Sequence, residues 1–184
     1  MGDSIKRSAV FCHDRSCRLR LTRVWGDLDA PRPLWLGHNP SDASATREDP
    51  TSWRIIHFCR RWDQPGYDLG NLYPFVTADP VDCRRIADWE ANGPDYWARD
   101  RLHQNLSHLQ ELARKASMVV ACFGEIARDQ EWIEHVLDAL GEATASSMPI
   151  YCLGITKSGA PKHPMARGRH RVPDDQRPIL WRDR

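Results

Sequence analysis

Asn39, Asp42 and His163 carry side chains able to orient a water, take a proton or donate to an anion, and each lies in a polar loop. Asn39 lies in Gly37-His38-Asn39-Pro40-Ser41, a turn-forming cluster directly behind the apolar run Leu34-Trp35-Leu36. Its side-chain carbonyl suits the orientation of a water molecule. Asp42, a stronger base, is the rival for that task. His163, followed by Pro164, offers an imidazole that donates to a developing anion. Asn71 ends a second apolar stretch and both donates and accepts, as reading the edge of a flat heterocycle requires. Gly37 allows close approach of a ligand, and Tyr73 and Phe75 are candidate stacking faces. The hydroxyls and ammonium groups of Ser41, Thr156, Lys157, Ser158 and Lys162 suit phosphate. Plainer roles stay open: Asn39 as a turn former, Asp42 as a cap, Asn71 satisfying a strand end, the aromatics as packing and Lys157 as a solvated side chain.

These residues need elements that bring them together. Leu34–Leu36, Tyr67–Phe75, Ser117–Phe123 and Pro149–Leu153 have the short apolar character of buried strands. Between them the spacing predicts helices: one from about Ser52 to Trp62, capped by Thr51, with Trp53 and Ile56 on its apolar face. Others run from Asp79-Pro80 to about Trp89, from Asp95 to Lys115, and from Glu125 to Leu140 with Ile126 inward. Cys17–Trp25 alternates like a half-exposed strand. Strands alternating with helices imply an α/β fold, a three-layer α/β/α sandwich on a mostly parallel sheet. In such sheets the ligand site lies outside the carboxyl ends of the strands, where the Gly37, Asn71, Gly124 and His163 loops would meet.

A chain of 184 residues suggests one α/β domain over 1–184, with an N-terminal extension (1–16) and a basic C-terminal tail (166–184). The net charge is only +1, but residues 1–24 carry +4 and residues 157–184 carry +5, which suits polyanion contact as well as it suits solvated ends. No run of eighteen apolar residues exists and MGDSIKRSAV has no signal-peptide core, so a cytoplasmic protein without membrane contact is expected. Six cysteines in that setting are read as reduced thiols. Cys12, Cys17 and Cys83 lack a convincing fourth ligand, and neither metal nor other cofactor is expected. No dinucleotide fingerprint, Walker loop, zincin motif or nucleophile elbow is present.

The order GHNPSD, GNLYPF, CFGE and LGITKSGAPKHPM resembles the uracil-DNA glycosylase superfamily. Its members carry G-x-N-P or G-x-x-P, a strand ending in Asn, an apolar strand ending in Gly, and a final His-Pro loop. Here those positions are Gly37 to Pro40, Asn71, Val119 to Gly124, and His163-Pro164. More narrowly, residues 17–165 resemble an uncharacterised bacterial domain family with L-N-P-S, D-P-T, N-L-[FY] and L-G-x-T-K-S-G-x-P-x-H-P motifs. Their counterparts are HNPS, Asp49-Pro50-Thr51, Asn71-Leu72-Tyr73 and Leu153 to Pro164. Two features depart from the glycosylases: Met165 where they usually have Ser, and Asp42, Arg47, Glu48 and Asp49 where they stack the base.

The resemblance implies hydrolysis of the N-glycosidic bond of a damaged or modified base in DNA. Two other readings keep the fold. One is an enzyme for a free nucleotide, nucleoside or related metabolite, favoured by the acidic run after GHNPS. The other is a non-catalytic module for a modified base or single-stranded end. DNA or a nucleotide-like ligand is the expected partner, with oligomeric state open.

Overall fold

The computed structural model describes residues 4–41, 45–77, 79, 81–83, 85–86, 97–127, 129–144 and 148–183. Among these, the strands are β1 (Lys6–Phe11), β2 (Arg18–Val24), β3 (Arg32–Gly37), β4 (Gly66–Asn71), β5 (Ala116–Ala121), β6 (Ile150–Cys152) and β7 (Ile179–Arg182). The long helices are α1 (Pro50–Arg61), α2 (Trp97–Lys115) and α3 (Gln130–Ala143). Residues 81–83 and 85–86 are also helical.

All seven strands join one sheet in the order β1-β2-β4-β3-β5-β6-β7. The four inner strands, β4-β3-β5-β6, are parallel. The β1–β2, β2–β4 and β6–β7 pairings are antiparallel. The sheet is therefore mixed, where a mostly parallel one was expected. The antiparallel strands come from segments that read as polar ends or a half-exposed strand: β1 from within 1–16, β7 from within 166–184 at the opposite edge, and β2 between β1 and the parallel strands. Edge strands need only one neighbour's backbone, so a weak apolar pattern suffices.

Strand alternation divides the core in two. Leu34, Leu36, Val119 and Ala121 pack with Leu109 and Leu112 of α2 and Ile133, Val136 and Leu137 of α3. Trp35, Leu69 and Val120 point the other way, to Ile55, Phe58 and Cys59 of α1. The Trp35 and Trp62 rings stack there with centroids 5.4 Å apart.

Several local expectations change. Asp49, rather than Thr51, caps α1: its carboxylate accepts from Ser52 N at 2.6 Å and Pro50 takes the first turn, where a missing N–H costs nothing. Trp53 is 54% exposed, on the solvent side of α1. α3 starts at Gln130 because the Asp129 side chain caps Trp132 N, leaving Ile126 in the preceding turn and 46% exposed. β2 is covered on both faces, not half exposed. It is an interior strand, and its Arg23 is buried against Glu48 at 2.7 Å. No helix among the described residues is long and apolar enough to cross a membrane.

Candidate functional site

β3 leads through α1 to β4 on one side, and β4 leads through α2 to β5 on the other, so the connections diverge around β3. A crevice must open at the carboxyl ends of β3 and β5. A cleft of about 620 Å³ lies there. Its lining includes Gly37 at the end of β3 with His38, Asn39 and Ser41 after it, Asn71 at the end of β4, Phe123, Gly124 and Glu125 after β5, and His163 of the final loop. Arg18, Asp49, Thr77, Met165 and Arg167 also line it.

Backbone hydrogen bonds carry the parallel pairing past the strand ends. Leu72 N donates to Gly37 O and Tyr73 N to His38 O, both at 2.9 Å, and Cys122 N donates to Leu36 O at 2.8 Å. The His38–Asn39 turn is thereby pinned over the ends of β4 and β5. His163 arrives on a small hairpin, with Ile155 bridged to Pro161 and Lys162 N donating to Gly154 O at 2.8 Å. Gly124, at φ +76°, lets it settle, since a Cβ there would stand 3.3 Å from the His163 Cβ.

The polar atoms are arranged in a definite way. Asn39 Nδ2 donates to Thr77 O at 2.9 Å and Pro40 O at 3.0 Å, which fixes its amide and turns Oδ1 toward His38 Nδ1 at 3.0 Å. Met165 N donates to His163 Nδ1 at 3.1 Å. Burial pushes both imidazoles below the usual histidine range. For His38 the Asn39 contact opposes this, and for His163 Asp49 opposes it while His38 adds to it. Burial therefore favours the neutral form of both rings.

Asn71 is 2% exposed, and its Nδ2 has no hydrogen-bond partner among the described residues. Its backbone oxygen accepts from Asn105 Nδ2 at 2.9 Å. Arg18 is buried in the wall, with Nη1 3.5 Å from Ser41 O, and burial pulls its guanidinium down to about 10. Ser41 Oγ donates to Asp49.

The structure thus gathers Gly37, Asn39, Ser41, Asn71 and His163 in one cleft. Asp42 lies outside the described residues. Tyr73 and Phe75 do not line the cleft. Tyr73 packs between His38 and Trp132, and Phe75 is core, 1% exposed. The strand ends at Asn71, and the chain then turns inward. Thr156, Lys157, Ser158 and Lys162 belong to the hairpin behind His163. Ser158 donates to Glu125 at 2.6 Å and borders a neighbouring 510 Å³ pocket, and Lys157 is exposed. His38, Arg18 and Phe123 are cleft residues that the sequence reading did not assign to the site. The acidic run after the first loop is also partly neutralised. Glu48 bonds Arg7, Arg23 and Ser52, which outweigh the effect of its burial and hold its carboxyl below the usual range.

All six cysteines are free and buried. Cys12 Sγ donates to Asp14 at 2.8 Å and accepts from Cys17 N at 3.0 Å. Among the described residues no three His, Cys, Asp or Glu side chains are grouped to hold a metal ion.

The family model described as "Protein of unknown function (DUF1643)" matches residues 18–165. The chain belongs to the DUF1643 family. The match begins at Arg18 and ends at Met165, both in the cleft wall, so the family segment spans nearly every element that builds the cleft. No curated protein and no solved structure matches.

Proposed function

We propose that this DUF1643 protein hydrolyses the N-glycosidic bond of a damaged or modified base in DNA, on a three-layer fold of the uracil-DNA glycosylase kind. The observation that carries the reading is the Asn71 carboxamide, buried with an unpartnered Nδ2 in the same cleft as His163. A buried amide donor without a partner costs roughly 1–3 kcal/mol, and a ligand carbonyl entering the cleft would remove that cost. Asn71 then reads the edge of the base. His163 Nε2–H donates to the oxygen on which charge collects as the base leaves, and Phe123 supplies the apolar wall assigned on sequence to Tyr73 and Phe75. Arg18 and Arg167 line the cleft, and the exposed Arg167 is the cation we assign to a phosphate.

Labelled duplexes bearing uracil, hydroxymethyluracil, hypoxanthine or xanthine, assayed for abasic sites, test the reaction. His163→Ala is expected to cost about 100-fold or more in rate, the usual loss of one transition-state donor.

A second reading, hydrolysis of a free nucleotide or nucleoside, draws on Asp49 and Glu125, whose carboxylates line the cleft and repel a polyanion. A rise in melting temperature with nucleotides and none with DNA would select it.

A further inference from the structure

We propose that His38 is the proton acceptor of the cleft, and that Asn39 acts through it as a positioning residue. The role in a reaction rests on the hydrolytic reading above, whereas the protonation state stands on hydrogen bonds alone.

Both N–H groups of Asn39 Nδ2 face carbonyl oxygens, those of Pro40 and Thr77. A flipped amide would set oxygen against oxygen at about 3 Å. Asn39 Oδ1 is therefore the atom that meets His38 Nδ1, and an oxygen can only accept. His38 must carry a proton on Nδ1, so the neutral ring, which its burial favours, leaves Nε2 a bare lone pair. No hydrogen-bond partner of Nε2 is present among the described residues, and the residue lines the cleft.

His163 is set the opposite way. Its Nδ1 accepts from Met165 N, so a neutral ring carries its proton on Nε2. The cleft thus offers two neutral imidazoles of opposite polarity, an acceptor after β3 and a donor on the final loop. A pair of titratable groups set to opposite tasks is how acid and base roles are divided.

In the hydrolysis, water oxygen forms a bond to the anomeric carbon while the bond from that carbon to the base nitrogen breaks, its electron pair leaving with the base. One water proton passes to His38 Nε2, and the other stays on the new hydroxyl. His163 Nε2–H hydrogen-bonds the departing anion without giving up its proton. The base then takes a proton from solvent, and the His38 imidazolium returns one. Asn39 Oδ1 favours that imidazolium by accepting from Nδ1–H.

The groups facing this chemistry are Arg18 from β2, Asp49 at the α1 cap, Glu125 after β5, and His163 and Arg167 from the final loop, while Tyr73, after β4, packs against the His38 ring from outside the cleft. Asp49 favours a charged His163 and His38 opposes it, so the pH profile is read against variants rather than taken alone.

Long-range proton–nitrogen spectra of the full chain labelled in its histidines test the assignment, with His38 identified by the loss of its signals in His38→Gln. The expected result is a protonated Nδ1 and bare Nε2 in His38 and the reverse in His163. In Asn39→Ala, His38 should relax toward the Nε2–H form that free histidine prefers. A wild-type His38 protonated on Nε2 overturns the proposal.

The role in catalysis is read with a single-stranded oligonucleotide carrying one deoxyuridine. His38→Ala should lose about 10²–10⁴-fold in base release, the range for a positioned general base. Added imidazole should restore activity in proportion to its unprotonated fraction, and loss without rescue overturns the base role. If wild type releases no base from this probe or from the four lesions, the hydrolytic reading and His38's catalytic role fall together, while the spectra still decide the protonation state.

Discussion

Gly37 and Asn71 are register partners at the ends of β3 and β4, and a Cβ added to Gly37 would stand 2.6 Å from Asn71 Oδ1. Glycine at that point leaves room for the carboxamide of its neighbour. Gly37→Ala must displace Asn71, whose side chain is short and buried. We expect a destabilisation of about 1–3 kcal/mol, the usual cost of overpacking. Base release should fall at least as far as in Asn71→Ala, and wild-type turnover in Gly37→Ala would detach the carboxamide from the site.

Asn71→Ala itself separates function from stability. Most buried amides lose hydrogen bonds on truncation, but Asn71 Nδ2 has none among the described residues to lose. The change should cost about 1 kcal/mol or less by urea denaturation, because an unsatisfied donor is removed along with the contacts it made. Ligand binding should weaken at least tenfold, so a large stability loss with intact binding would mark Asn71 as structural.

Glu48 should behave in the opposite manner. Its carboxylate lies 2.7 Å from Arg23 Nε and 2.8 Å from Arg7 Nε, and the Arg23 side chain is fully buried. Glu48→Ala leaves that guanidinium without its carboxylate, for which we expect a loss of about 3–5 kcal/mol. In a chain of this size each kcal/mol moves the melting temperature by roughly 2–4 °C, so calorimetry should see a drop of roughly 6–20 °C.

The two cleft histidines tie stability to pH. Burial lowers both below the ordinary 6.5, so the folded chain binds their protons less readily than the unfolded chain does. Their contribution is fully present above pH 6.5 and is lost as pH falls through the lowered folded values. The urea midpoint should therefore decline on acidification below pH 6.5, and less steeply in His163→Gln than in wild type. Equal slopes in the two proteins would show that His163 is not buried in its neutral form.

The centre of the fold was legible because β3 and β5 are continuous apolar runs between breakers, and α2 and α3 keep a helical apolar stripe. The rim was not. β1 reads KRSAVF, half of it exposed, and owes its strand to backbone pairing with β2. The arginines of β2 look like solvent-facing residues until Glu48, far along the chain, is seen against Arg23. Asp49 followed by Pro50 is a readable helix start, although Thr51 offers a second capping hydroxyl close by. Gly37, Asn39, Asn71 and His163 could be picked out because each sits at a strand end or in a short polar loop. His38 could not, since its chemistry depends on which way its neighbour's amide is turned, and Thr77, thirty-eight positions after Asn39, decides that.

The most direct measurement is mass-spectrometric detection of free base after incubating the full chain with duplexes carrying uracil, hydroxymethyluracil, hypoxanthine or xanthine. Release from at least one of them is expected, falling about 100-fold or more in Asn71→Ala and His163→Ala. Release that survives both substitutions, or none from any lesion by a protein whose melting temperature responds to nucleotides alone, would contradict it.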